Sequence, residues 1–421
     1  LQPHIIHTDE HAISRSDITP RARQVVSTLQ KAGFNAYLVG GCVRDLLLHK
    51  TPKDYDVATS AHPEAIRELF KNSRIIGRRF RLVHIHFGRE IIEVATFRGS
   101  PANGQHFTTD QLSDQGMILH DNVYGSIEED ALRRDFTINA LYYDPETEAI
   151  IDYTGGYEDL LDKTLKILGE PQTRYREDPV RMLRAVRFLG KLNFKPNPET
   201  IAPIVQKDLH ALLGQIAPAR LFEEYLKLFL TGQALKTFFL LKEYDLFSRL
   251  FPLTLRQEVI DAFPQQEAFL IEVLKSTDRR FEKELAINPA FLIAAFLWYP
   301  LQWLHRTSHD GTRRGESWFL AGQLAFKQQN ASLSIPKRFS STIQDIWLLQ
   351  RLFERNRKKI ITRVAEHPKF RAGFDFLILR SRLDAVQKDL LHFWQAYEQA
   401  TPERRLHLIT EFDPEQFKIP S

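Results

Sequence analysis

Leu38-Val39-Gly40-Gly41-Cys42-Val43-Arg44-Asp45, followed by Lys53-Asp54-Tyr55-Asp56-Val57, combines a glycine turn with two closely spaced carboxylates. Ala36 to Val39 reads as a short buried strand and Val43 to Leu48 as a short helix, with paired glycines turning between them. Gly40 and Gly41 carry no Cβ, so a phosphate chain can approach their backbone and the helix N-terminus. Asp54 and Asp56 alternate in what reads as the next strand, which puts both on one face. Two carboxylates so placed suit a pair of divalent cations roughly 3.5–4 Å apart, one activating a hydroxyl and the other holding a departing pyrophosphate. Taken singly, a Gly-Gly is an ordinary turn and an Asp-x-Asp an ordinary solvated strand end. In this order and spacing they point to metal-assisted nucleotidyl transfer.

Composition sets the outer limits. A chain of 421 residues exceeds one ordinary core and implies two or more domains. Its 43% hydrophobic and 26% charged residues describe a globular protein. Fifty-seven basic residues against 53 acidic ones leave a net charge of +4, which admits a polyanionic partner without requiring one. The single cysteine, Cys42, excludes an internal disulfide framework and fits a reducing cytoplasm. No membrane span is expected, because the most apolar run, Phe291 to Leu304, contains Pro300 and Gln302 and falls short of the roughly 20 residues needed. Leu1 to Ser16 lack a signal-peptide pattern and an initiator methionine, so the sequence is expected to begin inside a longer natural chain.

The texture of the chain changes along its length. From Ile18 to Tyr153 helical and strand patterns alternate: a helix at Ala22 to Ala32, the strand at Ala36, the carboxylate strand, a helix at Pro63 to Phe70, and strands at Leu82 to Phe87 and Ile91 to Phe97. Pro101 to Met117 is polar and aperiodic and reads as a mobile loop. Beyond Asp178 strand patterns fade and the rest reads as all helix. The expected architecture is an α/β N-terminal domain followed by an all-α region, divided as 1–17 extension, 18–155 head, 156–275 helical neck and body, and 276–421 helical body and tail.

Three further constellations carry chemistry. Ser126 and Glu129 have capping-box spacing, which starts a helix at Ile127 and gives Glu129 a structural task. Arg133 and Arg134 then lie about two turns in, with Asp135 and Asn139 four apart on one face, cations for a triphosphate beside polar groups for a ribose. In the second, Asp178 reads as the cap and Pro179 as the first residue of a helix on which Asp178 and Arg181 share a face. An acceptor beside a donor complements the edges of adenine and cytosine, whereas guanine and uracil present the reverse polarity. An N-capping Asp tied to an Arg one turn on explains that pair equally well. The third, Arg78-Arg79-Phe80-Arg81, sets three arginines around an aromatic, a composition for RNA or a soluble edge. His84 and His86 alternate on one strand face without further metal ligands at a supporting spacing and read as structural.

Together, Gly40-Gly41-x-x-Arg44-Asp45, Asp54-x-Asp56, Arg133-Arg134-Asp135-Phe136-Thr137-Ile138-Asn139 and Glu177-Asp178-x-x-Arg181, in this order, resemble the tRNA nucleotidyltransferase and poly(A) polymerase superfamily within the polymerase-beta-like nucleotidyltransferases. Ile76 to His84, Gly169 to Pro179, Asn288-Pro289-Ala290, Ile335-Pro336-Lys337-Arg338 and Glu366-His367-Pro368-Lys369-Phe370-Arg371 are more similar to the bacterial poly(A) polymerase group than to CCA-adding enzymes. The resemblance implies a polymerase-beta-like palm followed by RNA-binding helices. It implies template-independent addition of AMP from ATP to RNA 3' ends, with Mg2+ as cofactor and Mn2+ as its alternative. Asp54 and Asp56 would hold the metals, and Glu93 or Glu128 would be a third catalytic carboxylate. Nucleotide binding would fall to Gly40, Gly41, Arg44, Asp45, Arg133, Arg134, Asp135, Asn139, Asp178 and Arg181, with Asp135 and Asn139 at the sugar and Asp178 and Arg181 at the base. Arg78, Arg79 and Arg81 would bind RNA, and a cytoplasmic monomer is expected. Members of the group often end in a long basic tail; this sequence stops at Ser421 without one, from which weaker RNA binding is expected. The alternatives are a CCA-adding enzyme with the same site and a non-catalytic RNA-binding relative, the second disfavoured by two like charges kept side by side.

Overall fold

The computed structural model describes residues 2–77, 80–99, 123–307, 314–355, 357–384, 386 and 388–413. The chain forms two compact units, Leu1–Leu213 and Gly214–Ser421. Arg78, Arg79 and the polar stretch Pro101 to Met117 lie outside the described residues.

The first unit is built on one mixed sheet of β1 (His4–Ile6), β2 (Ala36–Val39), β3 (Asp56–Thr59), β4 (Ser73–Ile76), β5 (Leu82–Phe87), β6 (Glu90–Thr96), β7 (Leu141–Tyr143) and β8 (Ile150–Asp152). Its strand order is β1-β8-β7-β2-β3-β6-β5-β4. All neighbours are antiparallel except β3 and β6, which run parallel with Asp56 opposite Glu93. β1 falls within residues 1–17, expected as an extension, yet it edges the sheet with His4 opposite Asp152. Three residues carry too little pattern to announce a strand; the pairing supplies the signal.

Helix α1 (Pro20–Lys31) starts under a Thr19 cap and buries Ala22, Val25, Val26 and Leu29. Burying each Val or Leu of that stripe contributes about 1.5–3 kcal/mol. α2 (Gly41–Leu47) begins directly at the second glycine, two residues before the expected start. α3 (Pro63–Leu69) follows β3, and α4 (Ile127–Arg133) begins at the expected capping box, with Glu129 N–H donating to Ser126 Oγ at 3.2 Å and Ser126 N–H to Glu129 Oε2 at 2.8 Å. α5 (Gly156–Leu161), α6 (Pro171–Glu177) and α7 (Val180–Leu192) complete the longer helices of this unit. A two-strand parallel pair, β9 (Thr164–Leu165) with β10 (Lys195–Pro196), corrects the expectation of helix alone after Asp178. Four residues of extended backbone, one a proline, give no period to read.

Where β6 ends, the chain is pinned to the entry of α4. Gly99 N–H donates to the Val123 carbonyl at 2.8 Å and Gly125 N–H to the Phe97 carbonyl at 2.9 Å. A Cβ on Gly125 would run into the Gly99 backbone and the Glu129 carboxylate, so only glycine fits this crossing.

The second unit is helical throughout its described residues. The apolar run from Phe291 becomes two buried helices, Pro289–Phe296 and Trp298–Thr307, and Phe296 packs against Phe229 and Phe251 with ring centroids 5.2 and 4.7 Å apart. Leu349, Phe353, Phe374, Leu377 and Trp394 form a further core cluster. Phe353 is buried among these apolar neighbours. Among the described residues, no helix is long and apolar enough to cross a membrane.

Candidate active site

At the C-terminal end of β2 the backbone turns at Gly40, with φ 76° and ψ −127°, a conformation that an L side chain rarely adopts. Gly40 caps α2 with no side-chain hydrogen bond over the first helical amides. Gly41 has ordinary space: an added Cβ would stand 3.7 Å from Arg44 Nη2. The strict glycine requirement therefore belongs to Gly40.

Asp56 opens β3 opposite Val39, the last residue of β2, and is half-buried. Asp54 is exposed and lies in a bend before the strand, not within it as expected. The ladder stops because the residue opposite Asp54 in that register would be Gly41, already turned into α2. Glu93 faces Asp56 across the parallel pair, and its Oε2 lies 3.3 Å from His84 Nε2. Glu128 sits in the first turn of α4. Among the described residues no group of three or more His, Cys, Asp or Glu comes together to hold a metal ion.

Behind the glycine turn a chain of polar contacts joins segments remote in sequence. Arg44 is 4% exposed and donates from Nη1 to Asn139 Oδ1 at 2.7 Å and from Nη2 and Nε to Asp45 Oδ1 at 2.6 and 2.9 Å. Asn139 Nδ2 donates to Asp135 Oδ1 at 3.1 Å, and Arg184 Nε donates to Asp135 Oδ2 at 2.7 Å. Lys191 Nζ lies 4.0 Å from Asp45 Oδ2. Burial alone would raise the Asp135 carboxyl, but the Arg184 charge and the Asn139 hydrogen bond overrule it and hold the group well below the usual carboxylate range. The guanidinium groups of Arg44, Arg184 and Arg187 all stand over the Phe188 ring, within 5.1, 5.7 and 4.7 Å of its centroid. The pattern thus brings α2, the 3-10 turn Thr137–Asn139 and α7 together.

Asp135 and Asn139 meet, but not on a helix face. α4 ends at Arg133, Arg134 is its extended C-cap, and Asn139 stands in the separate 3-10 turn. The helix stops because the following backbone is claimed elsewhere: Phe136 bridges Ile167, and Thr137 N–H donates to the Lys166 carbonyl at 3.0 Å.

Arg133 donates from Nη1 to the Gly99 carbonyl, and Arg134 pairs with Asp130, its Nη2 and Nε 2.8 and 3.1 Å from Oδ2. Tyr142 OH donates to the same oxygen at 2.6 Å, and Arg98 N–H to Asp130 Oδ1 at 3.0 Å. Burial works to raise the Asp130 carboxyl, yet Arg134, Arg98 and Tyr142 together push it far down. Arg174 Nη2 then donates to the carbonyls of both Arg133 and Arg134 at 2.7 Å, satisfying the end of α4, while its Nη1 meets Glu177 Oε2 at 2.5 Å.

Asp178 is the C-cap of α6 rather than the N-cap of α7, whose cap is Pro179. Pro171 opens α6 under a Glu170 cap, so the proline after Asp178 follows a helix already formed. Arg181 N–H donates to the Asp178 carbonyl at 3.0 Å. Its Nη1 is held by the Arg174 carbonyl at 2.7 Å and Glu177 Oε2 at 3.1 Å, leaving Nε and Nη2 with no partner among the described residues. Arg81, expected at RNA, pairs with Glu64 at 2.6 Å. Asp130, Tyr142, Arg174, Arg184 and Lys191 were given no role by sequence reasoning. Only Arg184, one turn after Arg181, carried a local signal.

Residues 36–166 match the Poly A polymerase head domain, 193–257 the Probable RNA and SrmB- binding site of polymerase A, and 310–418 the Polymerase A arginine-rich C-terminus. Poly(A) polymerase I of Salmonella typhi is 47% identical over 419 residues, 98% of this chain and 90% of that protein. The chain belongs to the poly(A) polymerase I family. The Haemophilus influenzae poly(A) polymerase I is 45% identical over 97% of the chain and 90% of its own length. A CCA-adding enzyme from Lactobacillus helveticus is more distant, 36% identical over 59% of this chain and 59% of its own length. The structure of the Bacillus stearothermophilus CCA-adding enzyme in complex with CTP shares the fold, with TM-score 0.56 and 23% identity over 94% of this chain and 96% of that one. This chain thus carries the mixed sheet and the helical region expected from its motifs.

Proposed function

We propose that the chain is a template-independent polynucleotide adenylyltransferase that adds AMP from ATP to RNA 3' ends, with its reacting centre between the Gly40 turn and the start of β3. The observation that carries the residue roles is the polar chain from Lys191 through Asp45, Arg44, Asn139 and Asp135 to Arg184. It fixes the glycine turn to the segments expected to hold sugar and base.

Asp54 and Asp56 are the proposed metal ligands. Mg2+ is commonly bound by one or two carboxylates plus substrate phosphates rather than by an all-protein cage, and the exposed Asp54 and half-buried Asp56 supply two such carboxylates; Mn2+ is the alternative. The metal, when bound, supplies a lowered pKa at the attacking hydroxyl and charge neutralisation at the pyrophosphate. The residues of the chain do the rest. Gly40 lets the triphosphate approach the backbone, and Arg44 and Arg134 lend positive charge along it. Asp135 and Asn139 position the sugar, and Arg181 offers Nε and Nη2 as donors to the base beside the Asp178 acceptor. Glu93, across the ladder from Asp56, is the better-placed third carboxylate. A monomer of the cytoplasm is the proposed working form.

Extension of a labelled generic RNA and of a tRNA lacking its 3' end, each with ATP or CTP alone, tests the activity. Long ATP-only ladders on both are expected; CTP-dependent addition that stops after the terminal triplet would transfer the chain to the CCA-adding class. In the same assay Asp54→Ala with Asp56→Ala should abolish extension, and retained activity would remove the proposed metal site.

A further inference from the structure

A cavity of about 410 Å³ opens in the second unit between the end of helix Gln266–Glu282, the start of helix Pro289–Phe296 and helix Phe370–Arg380. Two sequence words that the catalytic site does not use meet there: Asn288 from the first, and Pro368, Lys369 and Arg371 from the second. One wall is apolar, made by Phe291, Leu292, Ile378 and Leu379. The rim is basic, with Arg279, Arg280, Lys369, Arg371 and Arg382.

Not all of that charge is spent internally. Arg371 pairs with Asp375 and Glu398, and Arg382 with Glu272 at 2.7 Å. Arg279 donates to the Lys275 carbonyl and Arg280 to the Ala286 carbonyl, and carbonyls leave a guanidinium its full charge. With Lys369, these make three cations without a carboxylate partner among the described residues, beside an apolar wall that includes the half-buried Phe291 ring.

We propose that this cavity is a second nucleotide-binding site, separate from the catalytic one, that takes a base against Phe291 and Ile378 and its phosphate against Arg279 and Lys369. A flat ring joined to an anion matches an apolar wall rimmed by cations that have no carboxylate partner among the described residues, the combination with which single-stranded nucleic acid is held. The nucleotide belongs either to the RNA strand or to the free pool.

The 421-residue chain is tested with two probes, labelled AMP by equilibrium dialysis and a fluorescent oligoadenylate by anisotropy. The variants are Arg279→Glu with Lys369→Glu, and Ala372→Trp, which fills the cavity from its lining. Both should weaken one probe about tenfold, and the salt slope for RNA should fall by about 0.7 for every phosphate that is no longer neutralised. The turnover rate at saturating ATP and RNA should not change. Loss confined to AMP assigns the free nucleotide; loss confined to oligoadenylate assigns the strand. Should the charge variant act and Ala372→Trp, shown folded by its melting curve, leave both probes unchanged, the cations form a surface patch and the cavity assignment is overturned. An 8-azidoadenosine probe locates the bound base without any variant: adducts on peptides spanning 276–292 or 368–382 are expected, and adducts confined elsewhere overturn the proposal.

Discussion

Arg44 and Asn139, 95 positions apart, meet through a 2.7 Å hydrogen bond that is buried on both sides. A buried guanidinium deprived of one acceptor keeps its desolvation cost, so Asn139→Ala is expected to destabilise the protein by about 1–3 kcal/mol. Because Arg44 then loses its fixed direction, KM for ATP should rise while RNA affinity is unchanged. Denaturant unfolding and initial rates against ATP check both.

Asp130 and Asp135 are held below the ordinary carboxylate range in the folded protein. A depressed folded-state value means that their contribution is present above the unfolded value, about 3.9, and is lost as pH falls below it toward the folded value. Stability should therefore drop steeply below about pH 4. Asp130→Asn or Asp135→Asn, less stable at neutral pH, should lose less between pH 5 and pH 3. Melting temperatures across that range decide it.

Cys42 is buried, and burial followed by the neighbouring Asp56 charge pushes its thiol up to about 12. A thiol so protonated and enclosed should not react with an aromatic disulfide reagent at pH 8 in the native state. One equivalent should appear on unfolding in guanidinium. Prompt reaction of the native protein would contradict the burial.

Arg174 clasps two carbonyls at the end of α4 and one carboxylate of α6 with a single planar fork. Lysine keeps the charge but not the fork. Arg174→Lys is expected to cost about 1–3 kcal/mol of stability and to lower the turnover rate at saturating ATP, since the Arg134 carbonyl leans on the fork and so does the Glu177 carboxylate that also holds Arg181. A variant as stable and active as the parent would show that the carbonyls find other donors.

Local signals were legible. The Ser126 and Glu129 capping box starts α4 at the expected residue because its hydrogen bonds span only three positions. The strand Leu82–Phe87 has the expected bounds because its own alternation defines it. Asp135 and Asn139 meet, as their spacing predicts, but by another geometry: helical periodicity would put them on one face, whereas a bridge from Phe136 to Ile167 brings them together in the protein. Alternation extends the strand to Asp54, because it cannot show where a neighbour turns away. Arg174, Arg184 and Lys191 gained their roles from partners dozens of residues distant, and no period along the chain encodes such meetings.

The crossing of Gly99 and Gly125 fastens the two ends of residues 100–122 to each other by paired backbone hydrogen bonds. The exit of β6 and the entry of α4 thus hold each other directly, and the strand keeps its register and the helix its aim through bonds made by their own neighbours. A glycine at each side of the clasp is what lets two backbones come that near, so the aim of Arg133 and Arg134 rests on two residues that have no side chain at all.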